Sequence, residues 1–197
     1  MPKLPFNAVV FDIEATDLAA VGAGVLLAAV IKPIGGKIKV FRLDNYKCRP
    51  GRETPLVRDI LNELQQYDIW IGHNIDRYDI NYLKSRAFRL GVNFAPIEPI
   101  TYDTMRAFGR AGYLTRYNAF GKPSKGLAMV VDFFGEKQTK TSIMPREWWE
   151  AICGNTDERK EALDKIVDHC IEDVKMNTAI IPYLLQSDRR LKIGRKV

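Results

Sequence analysis

Two carboxylates stand one residue apart in an apolar stretch near the N-terminus. Asp12 and Glu14 follow the run from Ala8 to Phe11, which is typical of a buried strand. Because side chains alternate in direction along a strand, both carboxylates point to one face, with oxygens close enough to share a cation. A divalent metal ion would offset the cost of burying both charges. Two other interpretations remain open here: an edge strand whose alternate residues face water, or a pair neutralised by lysine or arginine.

A second pair lies in a long apolar-periodic stretch near the C-terminus. His169 and Asp173 are four residues apart and therefore share one face of the predicted helix. An imidazole and a carboxylate that project together could serve proton transfer at a metal site. The same spacing is also typical of a surface pair, and a single helical histidine is often structural.

A further carboxylate follows a short predicted strand over residues 68–72. The segment His73-Asn74 leads through Tyr78-Asp79 into a helix, so Asp79 is a third candidate ligand. Asp103, in contrast, precedes a short helix, and we expect it to cap that helix. Residues 111–125 interleave aromatic and basic side chains, which could stack bases and touch phosphates. The alternative is a solvated loop that its aromatic residues pin to the core.

The elements that must position these residues alternate between strands and helices. Two β-prone runs follow the first strand and are joined by Gly35-Gly36, so three antiparallel strands are predicted at the N-terminus. We predict later strands at 68–72 and 97–102. Predicted helices begin near Thr54, after Asp79, at Lys125, at Pro145 and at Thr156 or Asp157, the last running through Leu185.

Composition indicates an ordinary soluble domain. The 197 residues are 46% hydrophobic and 27% charged, and we expect one domain over residues 1–187 followed by a basic tail at 188–197. The absence of a signal core or a bilayer-length apolar stretch predicts a cytoplasmic protein with no membrane partner. The three widely spaced cysteines favour free thiols. The net charge of +6 slightly favours a polyanionic partner.

Taken together, the three stretches resemble the motifs of the DEDD superfamily of 3′ to 5′ exonucleases, the DnaQ-like group. Its first motif is an Asp-x-Glu followed by a threonine and an apolar residue. Its second is a His-Asn run that ends in an aromatic-Asp pair, and its third is a helix with a Tyr or His shortly before the last Asp. The matching residues, motif by motif, are Asp12, Glu14, Thr16 and Leu18; His73, Asn74, Tyr78 and Asp79; and His169 with Asp173.

The resemblance implies a ribonuclease-H-like α/β fold, with a mixed central sheet, three antiparallel N-terminal strands and helices on both faces. It implies that Asp12, Glu14, Asp79 and Asp173 hold two Mg²⁺ or Mn²⁺ ions, with Asp12 bridging them. His169 would then take the proton of the attacking water, since histidine side chains generally titrate near neutrality.

The same resemblance implies the substrate and its contacts. The substrate would be the 3′ end of single-stranded DNA or RNA, released as nucleoside monophosphates. Thr16 would meet the terminal nucleotide through its backbone, Leu18 would wedge against the last base, and Asn74 would lie near the sugar-phosphate.

The third motif departs from the family pattern. Three residues separate His169 from Asp173, as in the Tyr branch of the family, whereas the His branch usually has four. Asn177 stands where the Tyr branch often has threonine. Two rival functions are a ribonuclease-H-like metal endonuclease and an inactive nucleic-acid-binding module of the same fold.

Overall fold

The structure is a computed structural model that describes residues 7–20, 24–93, 99–113, 115, 117, 121–122, 124–139 and 141–187. Its strands are β1 (Ala8–Ala15), β2 (Leu26–Pro33), β3 (Lys39–Arg42), β4 (Ile69–Gly72) and β5 (Ile100–Asp103). Its helices are α1 (Thr54–Leu64), α2 (Asp79–Arg89), α3 (Thr104–Ala111), α4 (Leu127–Phe133), α5 (Pro145–Cys153) and α6 (Thr156–Ser187). The expected basic tail, 188–197, lies outside the described residues.

The strands form one mixed sheet in the order β3-β2-β1-β4-β5. The strand β2 is antiparallel to β1 and to β3, and the turn between β2 and β3 places Gly35 at a φ of +77°. The expectation of an antiparallel N-terminal set needs one correction, because β1 has an antiparallel neighbour on one side only. On its other side β1 is parallel to β4, since the chain returns through α1 before it enters the sheet again.

Helices cover both faces of the sheet. Val9 and Phe11 of β1 belong to an apolar cluster with residues of α1 and α2. Val10, on the opposite face of β1, belongs to another cluster with Cys170 and Val174 of α6. A central strand buried on both faces explains why the sequence before Asp12 is continuously apolar instead of alternating.

Several element boundaries differ from the sequence expectation. The helix α4 begins at Leu127 and not at Lys125, because Gly126 is extended, with φ −62° and ψ 148°. The strand β5 begins at Ile100, and residues 97 and 98 of the predicted strand lie outside the described part of the chain. In the described residues, no helix combines the length and the apolarity that a bilayer span requires.

Candidate metal centre

The centre is built on the second half of β1. Asp12 lies opposite Val30 of β2 and Glu14 lies opposite Ala28, so both carboxylates are on the face that α6 covers. Both side chains are half-buried. Because β4 pairs only with residues 8–10 of β1, the backbone beyond Val10 is not part of that parallel ladder. A side chain from another element can therefore bond to it.

The helix α2 supplies that side chain. Asp79 is its first residue and is only 3% exposed. Its Oδ1 accepts a hydrogen bond of 3.2 Å from the backbone N–H of Ile13, the residue between Asp12 and Glu14. The third predicted carboxylate is thus fixed beside the first two.

The helix α6 brings three further groups to the same place. The thiol of Cys170 donates to Oδ2 of Asp12, with 3.2 Å between the sulfur and the oxygen. Nε2 of His169 lies 3.9 Å from Oε1 of Glu14 and 4.0 Å from Oδ2 of Asp173. His169 and Asp173 thus lie on one face of α6, with His169 beside Glu14 and the charge of Asp173 acting on Asp12.

The carboxylates repel one another strongly. Burial raises the pKa of Asp12 well above its usual range, and the negative charges of Asp79, Glu14 and Asp173 raise it further. The hydrogen bond from the Cys170 thiol opposes this increase in pKa. Burial, partly opposed by the hydrogen bond from Ile13, raises the pKa of Asp79 to about 7. A bound cation would remove this penalty by favouring the ionised forms.

The donor atoms fit a divalent cation. One ligand atom from each of Asp12, Glu14 and Cys170 lies within 4.8 Å of the other two. Hard oxygen ligands of this kind suit Mg²⁺ and Mn²⁺, whereas a thiol suits softer ions. The carboxylates thus supply hard oxygen donors, while the Cys170 thiol is a hydrogen-bond donor to Asp12.

A contact at Nδ1 orients the imidazole ring of His169. Its Nδ1 lies 2.8 Å from Oγ1 of Thr141, and its side chain is 13% exposed. In the tautomer in which Nδ1–H donates to Thr141, the lone pair of Nε2 faces Glu14 and Asp173. That tautomer can accept a proton at the centre.

The three residues expected to contact the substrate, Thr16, Leu18 and Asn74, differ in their exposure and hydrogen bonding. Both the backbone N–H and Oγ1 of Thr16 are hydrogen-bonded to Val25, at 3.1 and 3.0 Å. Thr16 therefore closes the base of the loop that follows β1, and its N–H is already engaged. Leu18, on that loop, is 84% exposed. Its side chain is accessible to a ligand.

Asn74 lies in the turn after β4, with a positive φ of 68°. Its backbone N–H donates to Oδ1 of Asp103 at 3.2 Å, and the same oxygen accepts from the N–H of Arg106 at 3.1 Å. The second contact confirms that Asp103 caps α3. The expected contact of Asn74 with a sugar-phosphate remains a prediction.

The neighbouring His73 belongs to a hydrogen-bond network with Thr104 and Asn177 that the sequence motifs do not predict. Its two ring nitrogens lie 3.0 Å from Oγ1 of Thr104 and 2.8 Å from the carbonyl oxygen of Lys125. Thr104, fully buried, is also 2.8 Å from Oδ1 of Asn177 on α6. Since Asn177 is one helical turn beyond Asp173, its i+4 spacing was the available signal.

The aromatic and basic segment at 111–125 is described only in part. The ring of Tyr113 packs against Phe108, Phe133 and Phe134, with centroid distances of 5.4, 4.7 and 5.8 Å. This aromatic residue therefore pins the segment to the core. Tyr117 is 67% exposed, and residues 114, 116, 118–120 and 123 lie outside the described residues.

Comparison with known proteins agrees with this architecture. A family model described as RNase_H superfamily matches residues 9–185. Among solved structures, the fold is similar to the family B DNA polymerase from the hyperthermophilic archaeon Pyrobaculum calidifontis, with a TM-score of 0.63 and 18% identity over 92% of this chain. The chain covers 25% of that polymerase, so the likeness concerns one part of it. No curated protein matches the chain significantly. Because the family model spans most of its length, the chain belongs to the RNase H superfamily.

Proposed function

We propose that this protein is a metal-dependent 3′ to 5′ exonuclease that releases nucleoside monophosphates from single-stranded DNA or RNA. The observation that carries the proposal is the convergence of four carboxylates from β1, α2 and α6, beside one imidazole. These groups come from three distant parts of the chain. Because the carboxylates repel one another, their cluster destabilises the fold when no cation is bound. Such a cost supports a functional role for the cluster.

Asp12, Glu14, Asp79 and Asp173 are the residues that would hold two Mg²⁺ or Mn²⁺ ions. Such ions, when bound, neutralise the phosphoryl oxygens, activate a water molecule and stabilise the leaving oxygen. Nε2 of His169 accepts the proton of the attacking water, and Thr141 holds the ring in the orientation this requires. The direction of digestion is inferred from the resemblance of the three motifs to those of 3′ to 5′ exonucleases. The basic net charge of +6 suits a polyanionic substrate.

Three residues are proposed to contact the substrate. The exposed Leu18 packs against the terminal base, while Thr16 and Asn74 lie near the terminal nucleotide and its backbone. With its N–H bonded to Val25, Thr16 contributes through the loop that it closes.

Digestion of end-labelled strands tests the proposal. Single-stranded DNA and RNA of one sequence, each with a 5′ label, are incubated with Mg²⁺, with Mn²⁺ and with EDTA. We expect a ladder that shortens in single-nucleotide steps with either ion and no ladder with EDTA. The relative rates on the two strands give the substrate preference. Activity that chelation leaves undiminished would contradict the proposal.

A further inference from the structure

A second set of buried charges lies outside the carboxylate centre. Glu53, which precedes α1, is fully buried, and Arg86 of α2 is 3% exposed. The two form an ion pair between Nη2 of Arg86 and Oε1 of Glu53. A buried ion pair is often no more stabilising than an apolar pair of the same volume, so its presence calls for a specific reason.

The reason is visible in the backbone groups that the pair satisfies. Nη1 of Arg86 donates to the carbonyl oxygen of Ala20 at 3.1 Å. Oε1 of Glu53 accepts from the N–H of Leu26 at 3.0 Å. Ala20 ends the described part of the loop after β1, and Leu26 begins β2. An apolar pair would leave both backbone groups without these partners at a buried position.

The start of the same helix bonds to the loop at one other point. Tyr78 and Tyr82 precede Arg86 at intervals of four residues and therefore share its face of α2. The hydroxyl of Tyr78 donates to the carbonyl oxygen of Asp17 at 3.3 Å. The hydroxyl of Tyr82 lies near Gly24, because it would be 3.0 Å from a Cβ built on that glycine, but it forms no hydrogen bond there among the described residues. Hydrogen bonds from the Tyr78 and Arg86 side chains therefore reach the loop at Asp17 and Ala20.

Leu18 lies between the two bonded residues of the loop, Asp17 and Ala20. It is 84% exposed, although the loop on each side of it is bonded to α2. Asp79, the first residue of α2, bonds to Ile13 at the carboxylate centre, so one helix contacts both the centre and the loop. The helix α2 therefore links the segment that carries Leu18 to the centre.

We propose that Arg86, paired with Glu53, is a positioning residue that fixes the loop of residues 17–20 so that Leu18 meets the terminal nucleotide. This inference rests on the proposed function, since it assigns Leu18 a nucleotide to contact. Arg86 acts only through the loop and touches neither the substrate nor the carboxylate centre.

The variant Arg86→Lys tests the inference. Lysine keeps a positive charge beside Glu53, but it lacks the planar fork that bonds Glu53 and Ala20 together. Arg89→Lys, on the exposed side of the same helix, is the matched control. We expect Arg86→Lys to raise KM for a single-stranded oligonucleotide about two- to tenfold, the loss typical of one hydrogen bond, with kcat unchanged. The control leaves both constants unchanged.

Hydrogen exchange supplies a readout that needs no activity. We expect amides of residues 17–20 to exchange faster in Arg86→Lys, while those of β1 keep their rates. If the lysine variant does not fold, Glu53→Gln is measured instead. Glutamine keeps an oxygen that can accept from the N–H of Leu26, but it replaces the ion pair with Arg86 by a weaker neutral hydrogen bond. Unchanged loop exchange in the folded variant would overturn the inference.

A double-mutant cycle measures whether the effect of Arg86 on KM depends on Leu18. Leu18→Ala alone raises KM, and adding Arg86→Lys to it has no further effect if Arg86 acts through Leu18. Effects on KM that multiply would overturn the inference. Faster loop exchange with an unchanged KM would also overturn it, yet would leave the nuclease proposal standing. A wild-type protein without nuclease activity would instead refute the proposed function and, with it, the role of Leu18.

Discussion

Oδ1 of Asp79 accepts a hydrogen bond from the backbone N–H of Ile13, which joins the start of α2 to the middle of β1. The bond forms where the parallel pairing of β1 with β4 has ended. It places a carboxylate from the second motif next to the two carboxylates of the first. The predictions for Asp12, for the pH dependence of stability and for His169 depend on this convergence of charge.

Asp12→Ala is expected to abolish turnover and to leave the fold intact or more stable. The substitution removes a metal ligand and, in the metal-free protein, the carboxylate that Asp79, Glu14 and Asp173 all repel. Rates of digestion and thermal unfolding in EDTA measure the two effects. The exposed Asp132 of α4 provides the control Asp132→Ala, with wild-type activity. A folded Asp12→Ala protein with wild-type rates would refute the assignment of Asp12.

The stability of the metal-free protein is expected to fall as the pH rises from about 4 to about 7. The pKa of Asp79 is about 7 in the folded protein, whereas an unfolded Asp titrates near about 3.9. Between these values the folded state holds a proton that the unfolded state has released, so stability is highest below the lower value and is lost toward the higher one. Asp12 acts in the same direction.

Denaturant unfolding in EDTA across this pH range measures the effect, with Asp79→Asn for comparison. The variant keeps an oxygen for the N–H of Ile13 but does not titrate, so we expect a smaller slope of unfolding free energy against pH. Because divalent ions bind the ionised carboxylates, added Mn²⁺ stabilises the wild type more as the pH rises. Equal slopes in the two proteins without metal would contradict the assigned cause.

His169→Ala is expected to lower the rate about a hundred- to ten-thousandfold, the usual contribution of a general base. His169→Tyr, which has the side chain common at this spacing in the family that the motifs resemble, recovers part of the rate. Thr141→Val removes the contact to Nδ1 and causes a smaller loss. Calorimetric Mn²⁺ binding serves as the control and stays close to wild type. A rate for His169→Ala within a few-fold of wild type would remove the proton-transfer role.

Thr104→Val is expected to destabilise the fold by about 1–3 kcal/mol, since it leaves buried polar groups without their partner. The hydroxyl of Thr104 lies within hydrogen-bond distance of the Gly72 carbonyl, of His73 and of Asn177. Thr178→Val is the control, because the hydroxyl of Thr178 donates to the carbonyl oxygen of Val174 in the preceding turn of its own helix. Chemical denaturation compares the two. Equal stability of both variants would show that the network contributes little.

The parts of the site that could be predicted from sequence are those with local spacing. Asp12 and Glu14 share a strand face, and His169 and Asp173 share a helix face, because strand and helix periodicities determine these relationships. The apolar run before Asp12 likewise indicates a buried strand, and the structure shows that it is buried on both faces. Such patterns need no knowledge of the remainder of the chain.

The parts that could not be predicted depend on contacts between distant segments. The bond from Ile13 to Asp79 joins residues 66 positions apart, and it forms where the parallel pairing of β1 with β4 has ended, a relationship that no local pattern encodes. The cysteine spacing predicts a free thiol at Cys170 but not its hydrogen bond to Asp12 across the interface of α6 and β1. The ion pair of Glu53 and Arg86 also joins distant segments. In addition, charged residues are usually exposed, so the sequence gives no sign that these two are buried.

The most direct test of the proposed function compares a linear single strand with a closed circle of the same sequence, both with Mn²⁺. The linear strand carries a 5′ label, and the circle is labelled internally. We predict that the linear strand shortens stepwise from its 3′ end and that the circle stays intact. Asp12→Ala is expected to leave the linear strand at full length. Cleavage of the circle at a rate comparable to that of the linear strand would show an endonuclease and contradict the account.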